Sequence, residues 1–514
     1  MKSKVFSHPV TEVDTEKGST NDVPVGEELK RNMKGRHINM IAIAGMIGTG
    51  LFLSSGTTIA LAGPAGAWLA YIFMGFVTAG VSYTTGEITA FMPVTGGFVR
   101  HATAFVEPAF GAAAGWNFWY TMAISVPAEL SAAATLIQFW DSSTNPASEV
   151  IFASMKIALI IGLIIAGLVV DLGGGPKGER LGFTYWKNPG PFNEYLVSGN
   201  TGQFLAFWSS LISAAFAYGN IQVVALSGTE TANPRKIIPD ATKKTFFRVF
   251  FFYVLSILIV GVIVPYDSEA LSVSLGTAAS SPFVIAFQAA GIKVLPSIIN
   301  AVVCTSAISS GSACIYLASR TLYGLSADGH APKVFMKCNR FGTPWYAVGL
   351  SVLPSPLVYM VVSTQASVVF GWFVNITTVA GLIGWVVIEV TYLRFFYALK
   401  QQCISRDSLP YKSPFQPYVA WITGLIVFLI VFFSGYAVFF PGNFTASGFL
   451  TYYINVAIFI VLYAFFKLFL KSKIIPLDRI NFEPELNSIR RWKETSELMK
   501  EDKNLARRVW DKIF

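Results

Sequence analysis

The sequence predicts an all-α, polytopic membrane protein, and three observations carry that prediction. Of 514 residues, 53% are hydrophobic and only 13% charged, which is more apolar surface than a soluble domain of this size hides. Apolar stretches of about 20 residues, the length that crosses a bilayer, recur along the chain. The basic residues behind the net charge of +9 gather in the tails and in alternate loops. That is the pattern of cytoplasmic loops rather than of a nucleic-acid face. The lipid bilayer is the expected partner, and nucleic acid is not.

In chain order, residues 1–36 contain no apolar stretch of signal-peptide type, so they read as a cytoplasmic tail and the first span must direct insertion. Candidate spans follow near 39–61, 67–92, 112–139, 150–170, 203–228, 249–264, 294–319, 346–364, 369–393, 418–439 and 449–468, eleven in all. The apolar stretch 282–291 is cut off by Lys293 and Pro296 and reads as an external loop helix. Residues 37–470 therefore form a transmembrane domain, and 471–514 a charged cytoplasmic tail with one short amphipathic helix. Cys304 and Cys314 lie in an apolar span and Cys338 and Cys403 in basic loops, so free thiols are expected.

Loop charges then produce a contradiction. Lys30, Arg31, Lys34 and Arg36 belong inside, as do Arg100 and His101 after two crossings, and the next span delivers Asp141 outside. Counted back from the basic loop Arg235, Lys236, Lys243, Lys244 and Arg248, the span at 150–170 must start inside. Residues 141–149 cannot lie on both sides. Later loops alternate without strain, with Arg320 to Arg340 and Arg394 to Lys412 inside and the sequon at Asn443 outside.

Two interruptions mark a candidate site. Gly45, Gly48 and Gly50 break the first span around Met46, Ile47 and Thr49. Glycines unpick helical backbone, and unpaired N–H and C=O groups at membrane depth persist where they line a cavity or bind something; the alternative is that small residues let helices pack closely. The second interruption is Phe216-Ala217-Tyr218-Gly219-Asn220-Ile221-Gln222, whose alternative is core packing. Ionisable groups at membrane depth, Lys156, Glu129 and Glu389, are functional candidates. Lys156 can also snorkel to the inner face, and Glu389 is expected to form a structural pair with Arg394. Glu87 is expected to bond neighbouring backbone near an inner gate, and Glu230 to join a network near Arg235. An enzyme is not indicated: there is no phosphate-cradling Gly-Lys-Ser/Thr loop, no metal spacing among the four histidines and no nucleophile–base arrangement. No cofactor or metal is expected.

Gly45 to Phe52, Gly86-Glu87, Pro93 to Phe98, Trp116, Pro127 to Leu130, Tyr185 to Gly190, Glu230 to Lys236, Ser319 to Leu322 and Gly329 to Lys333 occur in one order. With these motifs the chain resembles the fungal amino-acid permeases of the amino acid–polyamine–organocation superfamily, from about residue 30 to the end. The resemblance implies a LeuT-like inverted-repeat transporter with a family pattern of 12 spans, of which 11 are recognisable here. The chain passes from Asn145-Pro146-Ala147 to Phe152-Ala153-Ser154, the start of the family's fifth helix, so the fourth is lacking. An inverted repeat needs an odd number of spans per unit. The charge conflict and the family pattern thus locate the same gap, and an omitted exon or faulty gene model is expected there rather than a natural eleven-span protein.

For an amino-acid substrate, a helix broken at mid-membrane offers donors to the carboxylate and carbonyls to the ammonium. Thr49 and Gly50 are the expected carboxylate donors, with Met46, Ile47 and Gly48 beside them supplying carbonyls. The resemblance makes Phe216 an aromatic gate, with Tyr218, Gly219 and Gln222 completing the site. The family carries a glutamate where this chain has Gln222. Proton symport is implied, with Lys156, Glu129, Ser309 and Ser310 as coupling candidates. The implied function is import of amino acids, leaning to neutral ones, across the plasma membrane. A vacuolar or endosomal membrane, a polyamine or organocation substrate through Glu129, and a sensor or inactive truncated permease that binds without transport stay open. The tails are where cytoplasmic trafficking or ubiquitin machinery is expected.

Overall fold

The computed structural model describes residues 49–94, 96–137, 149–174, 178, 180–219, 221, 234–268, 271, 281–292, 294–340, 342–362 and 366–501. Regular structure among them is helical throughout. A π turn, Gly50–Ser54, runs into α1 (Ser55–Phe91). At 37 residues α1 exceeds one crossing, and Gly63 folds it into two legs. Pro64 disfavours helical backbone in the residue before it, and glycine tolerates the resulting φ of 73°. The corner is pinned by the loop at residues 191–193: Asn193 N–H donates to the Ala62 carbonyl (3.1 Å) and Ala65 N–H to that of Pro191 (2.9 Å). Pro64 thus marks one end of the bundle and Phe91 the other.

The remaining α-helices of eight or more residues are α2 (Phe98–Phe105), α3 (Pro108–Ile137), α4 (Glu149–Asp171), α5 (Asn200–Ala217), α6 (Pro234–Ile263), α7 (Pro282–Ala289), α8 (Leu295–Ala327), α9 (Trp345–Val352), α10 (Ala366–Gln401), α11 (Tyr418–Phe432), α12 (Ala446–Leu470) and α13 (Glu483–Glu501), with a single turn at Thr184–Lys187. Every candidate span contains helix where it is described, and α7 fills the expected loop helix. By length and composition, 5 described helices are apolar enough to cross a membrane: Gly50–Phe91, Pro234–Ile263, Leu295–Ala327, Val368–Gln401 and Ala446–Leu470. Two spans are shorter than expected. In 346–364, α9 gives way to a 3-10 segment at Ser355–Val362 because Pro354 and Pro356 withhold N–H donors. In 418–439, α11 stops at Phe432 and Ser434-Gly435 precedes a 3-10 turn at Tyr436–Phe439.

Helix α3 packs along α8 and α10, and α1 along α5 and α6. Two asparagines fasten α10 at successive turns: Asn117 Nδ2 donates to the Ala380 carbonyl (2.9 Å) and Asn455 Nδ2 to that of Ile376 (2.8 Å). Such side-chain bonds hold helices together where water does not compete.

Helix directions restate the charge conflict. Glu107, just before α3, accepts from Tyr463 Oη (2.5 Å), Ser472 Oγ (3.0 Å) and Lys467 Nζ, at the end where α12 finishes. Gly115 of α3 packs against Leu325, near the end of α8. Gly167 of α4 instead packs against Ile259 and Ile263 of α6, where Gly261 touches Pro64. Helix α3 therefore leaves the Phe91 end and α4 arrives at the Pro64 end, so both run the same way. Only residues 138–148 join them, and a return crossing needs about 20.

Two expectations at the Phe91 end are corrected. Glu87 does bond backbone, at Ser413, but most of its partners are distant side chains. Its buried carboxylate accepts from Arg406 Nε (2.9 Å) and Nη2 (2.7 Å), Tyr392 Oη (2.9 Å), the Ser413 N–H (2.8 Å) and the Ser413 hydroxyl. A desolvated carboxylate needs that many donors, and the α10–α11 loop supplies them. Glu389 and Arg394 do not pair, because residues five apart do not face each other on a helix. Glu389 Oε1 accepts from Thr84 Oγ1 (3.1 Å), while Arg394 Nε donates to the Phe105 carbonyl (2.7 Å).

Candidate functional site

Both interrupted spans meet at one point. The π turn follows Thr49, which is fully buried and whose hydroxyl has no partner among the described residues, as is true of the Ser54 and Ser55 hydroxyls. π turns place backbone out of the regular ladder and recur at functional sites. Gly50 lies against the end of α5: a β-carbon on it would stand 2.8 Å from Ala217 Cα and 3.1 Å from Phe216 Cδ1. Only glycine permits that approach.

Helix α5 stops at Ala217, in front of the Gly219-Asn220 interruption. Tyr253 Oη donates to the Ala217 carbonyl (3.1 Å), satisfying one acceptor that the helix end leaves open. Phe216 is half-buried and meets Phe370 edge-on, with ring centroids 6.3 Å apart. Tyr218 points elsewhere, into a buried tyrosine cluster with Tyr71 (6.1 Å) and Tyr253 (5.0 Å). Met46, Ile47, Gly48 and Gln222 lie outside the described residues, as does Glu230.

Phe216, Ala215 and Gly219 form one wall of a cavity of ≈ 50 Å³, large enough for water. Helix α3 adds Thr121, Met122 and Ser125, and α10 adds Thr377, Thr378, Gly381, Leu382 and Trp385. None of these carries a charge. The four hydroxyls donate to their own helices: Thr121 to the Asn117 carbonyl, Ser125 to Thr121, Thr377 to Phe373 and Thr378 to Val374. Their donors are thereby committed, which leaves the oxygens as acceptors. Sequence reasoning missed this α3 and α10 wall. Its signal was the hydroxyl spacing at 121/125 and 377/378 inside apolar spans.

Glu129 extends a polar ladder from that cavity. It is 7% exposed, and its Oε1 accepts from Ser310 Oγ (2.8 Å), so two of the coupling candidates are in contact. One turn back along α3, Ser125 lines the cavity. Ser309 is also buried in α8. Lys156 lies on α4, and its side chain is outside the described set. Among the described residues no cluster of His, Cys, Asp and Glu is arranged to hold a metal.

The sequence model of the family described as "Amino acid permease" matches residues 37–148 and 144–475. The chain is 39% identical to a proline-specific permease of Emericella nidulans, covering 94% of this chain and 93% of the relative. It is 36% identical to a lysine-specific permease of Saccharomyces cerevisiae, covering 94% and 82%. Among solved structures, an Eremococcus coleocola manganese transporter matches with a TM-score of 0.53 at 12% identity over 88% of this chain and 95% of that one, a likeness of fold. The family match divides at 144–148, between α3 and α4. The Emericella alignment spans 518 residues while covering 94% of a 514-residue chain, so about 35 positions are gaps in this chain, enough for one span with its loop. A polytopic helical bundle in which a π turn meets the end of an interrupted helix, matched by these relatives over nearly its whole length, is no enzyme: this chain belongs to the amino acid permease family of multi-pass membrane transporters.

Proposed function

We propose that this permease imports a neutral amino acid across the plasma membrane by proton symport and alternating access. The observation that carries this reading is the packing of Gly50 on the end of α5, so close that a β-carbon on Gly50 would stand 2.8 Å from Ala217 Cα, which brings the π turn and that helix end together beside an uncharged cavity. The N–H groups of Thr49 and Gly50 take the substrate carboxylate, since donors left open at a helix start favour an anion. Carbonyls at Met46, Ile47 and Gly48 take the ammonium, with those after Phe216, at Tyr218, Gly219 and Gln222, completing its shell. The side chain of the substrate occupies the cavity under Phe216, against Trp385. No ionisable residue lines it, which favours a neutral side chain, as the name of the Emericella relative suggests.

The proton site in this proposal is Glu129 with Ser310, with Ser309 and Lys156 as further coupling residues. A potential of about 100 mV and a gradient of about one pH unit, at about 2.3 and 1.4 kcal/mol, drive roughly 500-fold accumulation with one proton per substrate. Residues 1–36 and 471–514 face the cytoplasm, where trafficking or ubiquitin machinery reaches them, and 37–470 is the permease domain.

Uptake of labelled proline and other amino acids into cells at two external pH values tests the reading. Faster accumulation at acid pH is expected; accumulation independent of pH overturns the proton. The division of the family match at 144–148 favours a second reading, a permease-like protein that binds amino acids without moving them. Binding without accumulation would select it.

A further inference from the structure

The segment after α12 does not leave the bundle. Ile475 N–H donates to the Val106 carbonyl (2.9 Å), and the Arg394 guanidinium bonds both the Phe105 and Ile475 carbonyls. Gln402 Nε2 donates to the carbonyls of Leu477 (2.9 Å) and Ile480 (2.8 Å). Phe482, 2% exposed, enters an aromatic cluster with Phe91, Phe105 and Phe395 at centroid distances of 5.8, 6.0 and 6.0 Å. Ile489, also 2% exposed, brings α13 onto the same cluster.

Helix α13 then reaches across the face of the bundle. Arg235 Nη2, in the first turn of α6, donates to Glu485 Oε2 and to Ser488 Oγ, each at 3.1 Å. Lys493 Nζ donates to the Ser408 carbonyl in the α10–α11 loop (3.0 Å). One strap thus holds together α1, α2, α6 and α10. Helix α6 begins shortly after the second helix break, so a movement of that break relative to α10 must stretch or release the strap.

We propose that residues 475–489 are an intramolecular latch: docked, they hold this face closed, and substrate leaves through it only after the Arg235–Glu485 contact separates. This inference rests on the transporter reading. The anchoring differs along its length. Residues 475–482 are held by backbone hydrogen bonds and buried rings, while α13 meets α6 through Arg235, paired with Glu485 at side chains 11% and 25% exposed and bonded to Ser488, side-chain contacts that can separate without unfolding either helix.

Two variants of the full chain, both in a Cys403→Ser background that removes an exposed thiol, test the latch. Arg235→Cys/Ser488→Cys is bridged with a short thiol cross-linker carrying a reducible bond. Bridging is expected to cut labelled amino-acid uptake about ten-fold, with recovery on reduction; bridged protein that transports at the reduced protein's rate overturns the latch. Glu485→Arg is combined with Ile489→Cys, and maleimide labelling of that buried position is followed. Labelling about two- to five-fold faster than in Ile489→Cys alone is expected, the population shift that loss of one partly exposed ion pair produces. An unchanged rate overturns the proposal. Labelling does not depend on transport, so absence of uptake in every sample counts against the transporter reading, while labelling still decides the latch.

Discussion

Arg406 grips Glu87 through two guanidinium N–H groups, at 2.9 and 2.7 Å, although 319 positions separate them in the chain. The carboxylate is fully buried and the guanidinium side chain 18% exposed. Removing one partner of such a pair leaves an uncompensated charge, a loss of about 3–5 kcal/mol when both groups are buried and toward the lower figure here. Arg406→Ala is therefore expected to lower the melting temperature in detergent markedly, and Glu87→Ala/Arg406→Ala by less than Arg406→Ala alone. A double variant as unstable as the single would mean that the pair is not what the fold depends on.

Gly50 offers a sharper test of the joined breaks. An alanine β-carbon there meets backbone at Ala217, which cannot rotate away, so the π turn must shift. A displacement near 1 Å at a positioning element costs about 10²-fold in rate, and Gly50→Ala is expected to reduce uptake on that scale. Gly162→Ala on α4, where nothing lies within 4 Å, serves as control. Equal uptake by the two variants would remove Gly50 from the site.

Acid should loosen the α2 corner. His101 is buried, and burial pushes its pKa down to about 4, against a smaller upward effect of the hydrogen bond to the Met92 carbonyl. Its folded pKa lies below the unfolded value, so the neutral ring favours the folded state. That contribution is full above about pH 6.5 and is lost as pH falls toward 4, amounting to about 3 kcal/mol at the acid end. His101→Gln keeps a donor for Met92 and cannot ionise. Its melting temperature is expected to fall less than the parent's between pH 7 and 4; identical pH profiles would exclude His101 as the cause.

Local breaks were legible in the sequence and long-range partnerships were not. Of the glycines at 45–50 only Gly50 lies among the described residues, but the end of α5 before Gly219 announces itself against an apolar background, because interrupted helix is a property of neighbouring residues. Thr121, Ser125, Thr377 and Thr378 did not, since a hydroxyl bonded to its own helix looks the same in sequence whether it lines a cavity or merely packs. Glu87 was recognised as an anchored carboxylate but its ion pair with Arg406 was not foreseen, and the charged stretch around Glu485 read as a cytoplasmic tail. In both cases the partner is set by helix packing across more than 200 positions.

Glu129 is the residue on which proton coupling is proposed to turn. Glu129→Gln keeps an acceptor for Ser310 Oγ and loses the exchangeable proton. Uptake by this variant is expected to be equal at two external pH values between 5 and 7, with accumulation far below the roughly 500-fold that one proton supports. Retained pH dependence in Glu129→Gln would move the proton to Lys156 or elsewhere.

The parallel run of α3 and α4 yields the last prediction. Glu107 holds the start of α3 beside Lys467 and Ser472, while Gly167 places the end of α4 beside Ile259 at the opposite pole. Residues 138–148 are too few to return as a helix, and extended backbone crossing the hydrocarbon core would leave its N–H and C=O groups unpaired. The charge rule reaches the same obstacle from loop composition alone, and the family match divides at the same place. Inserting an apolar helix of about 20 residues with polar flanks between Asn145 and Pro146 is therefore expected to raise the yield of monodisperse protein and amino-acid uptake at least several-fold over the chain without it. Equal yield and uptake without the insert would show that the chain solves its topology in another way, with one of the two helices reversed; thiol labelling of Asp141→Cys from either side of the membrane would then identify which.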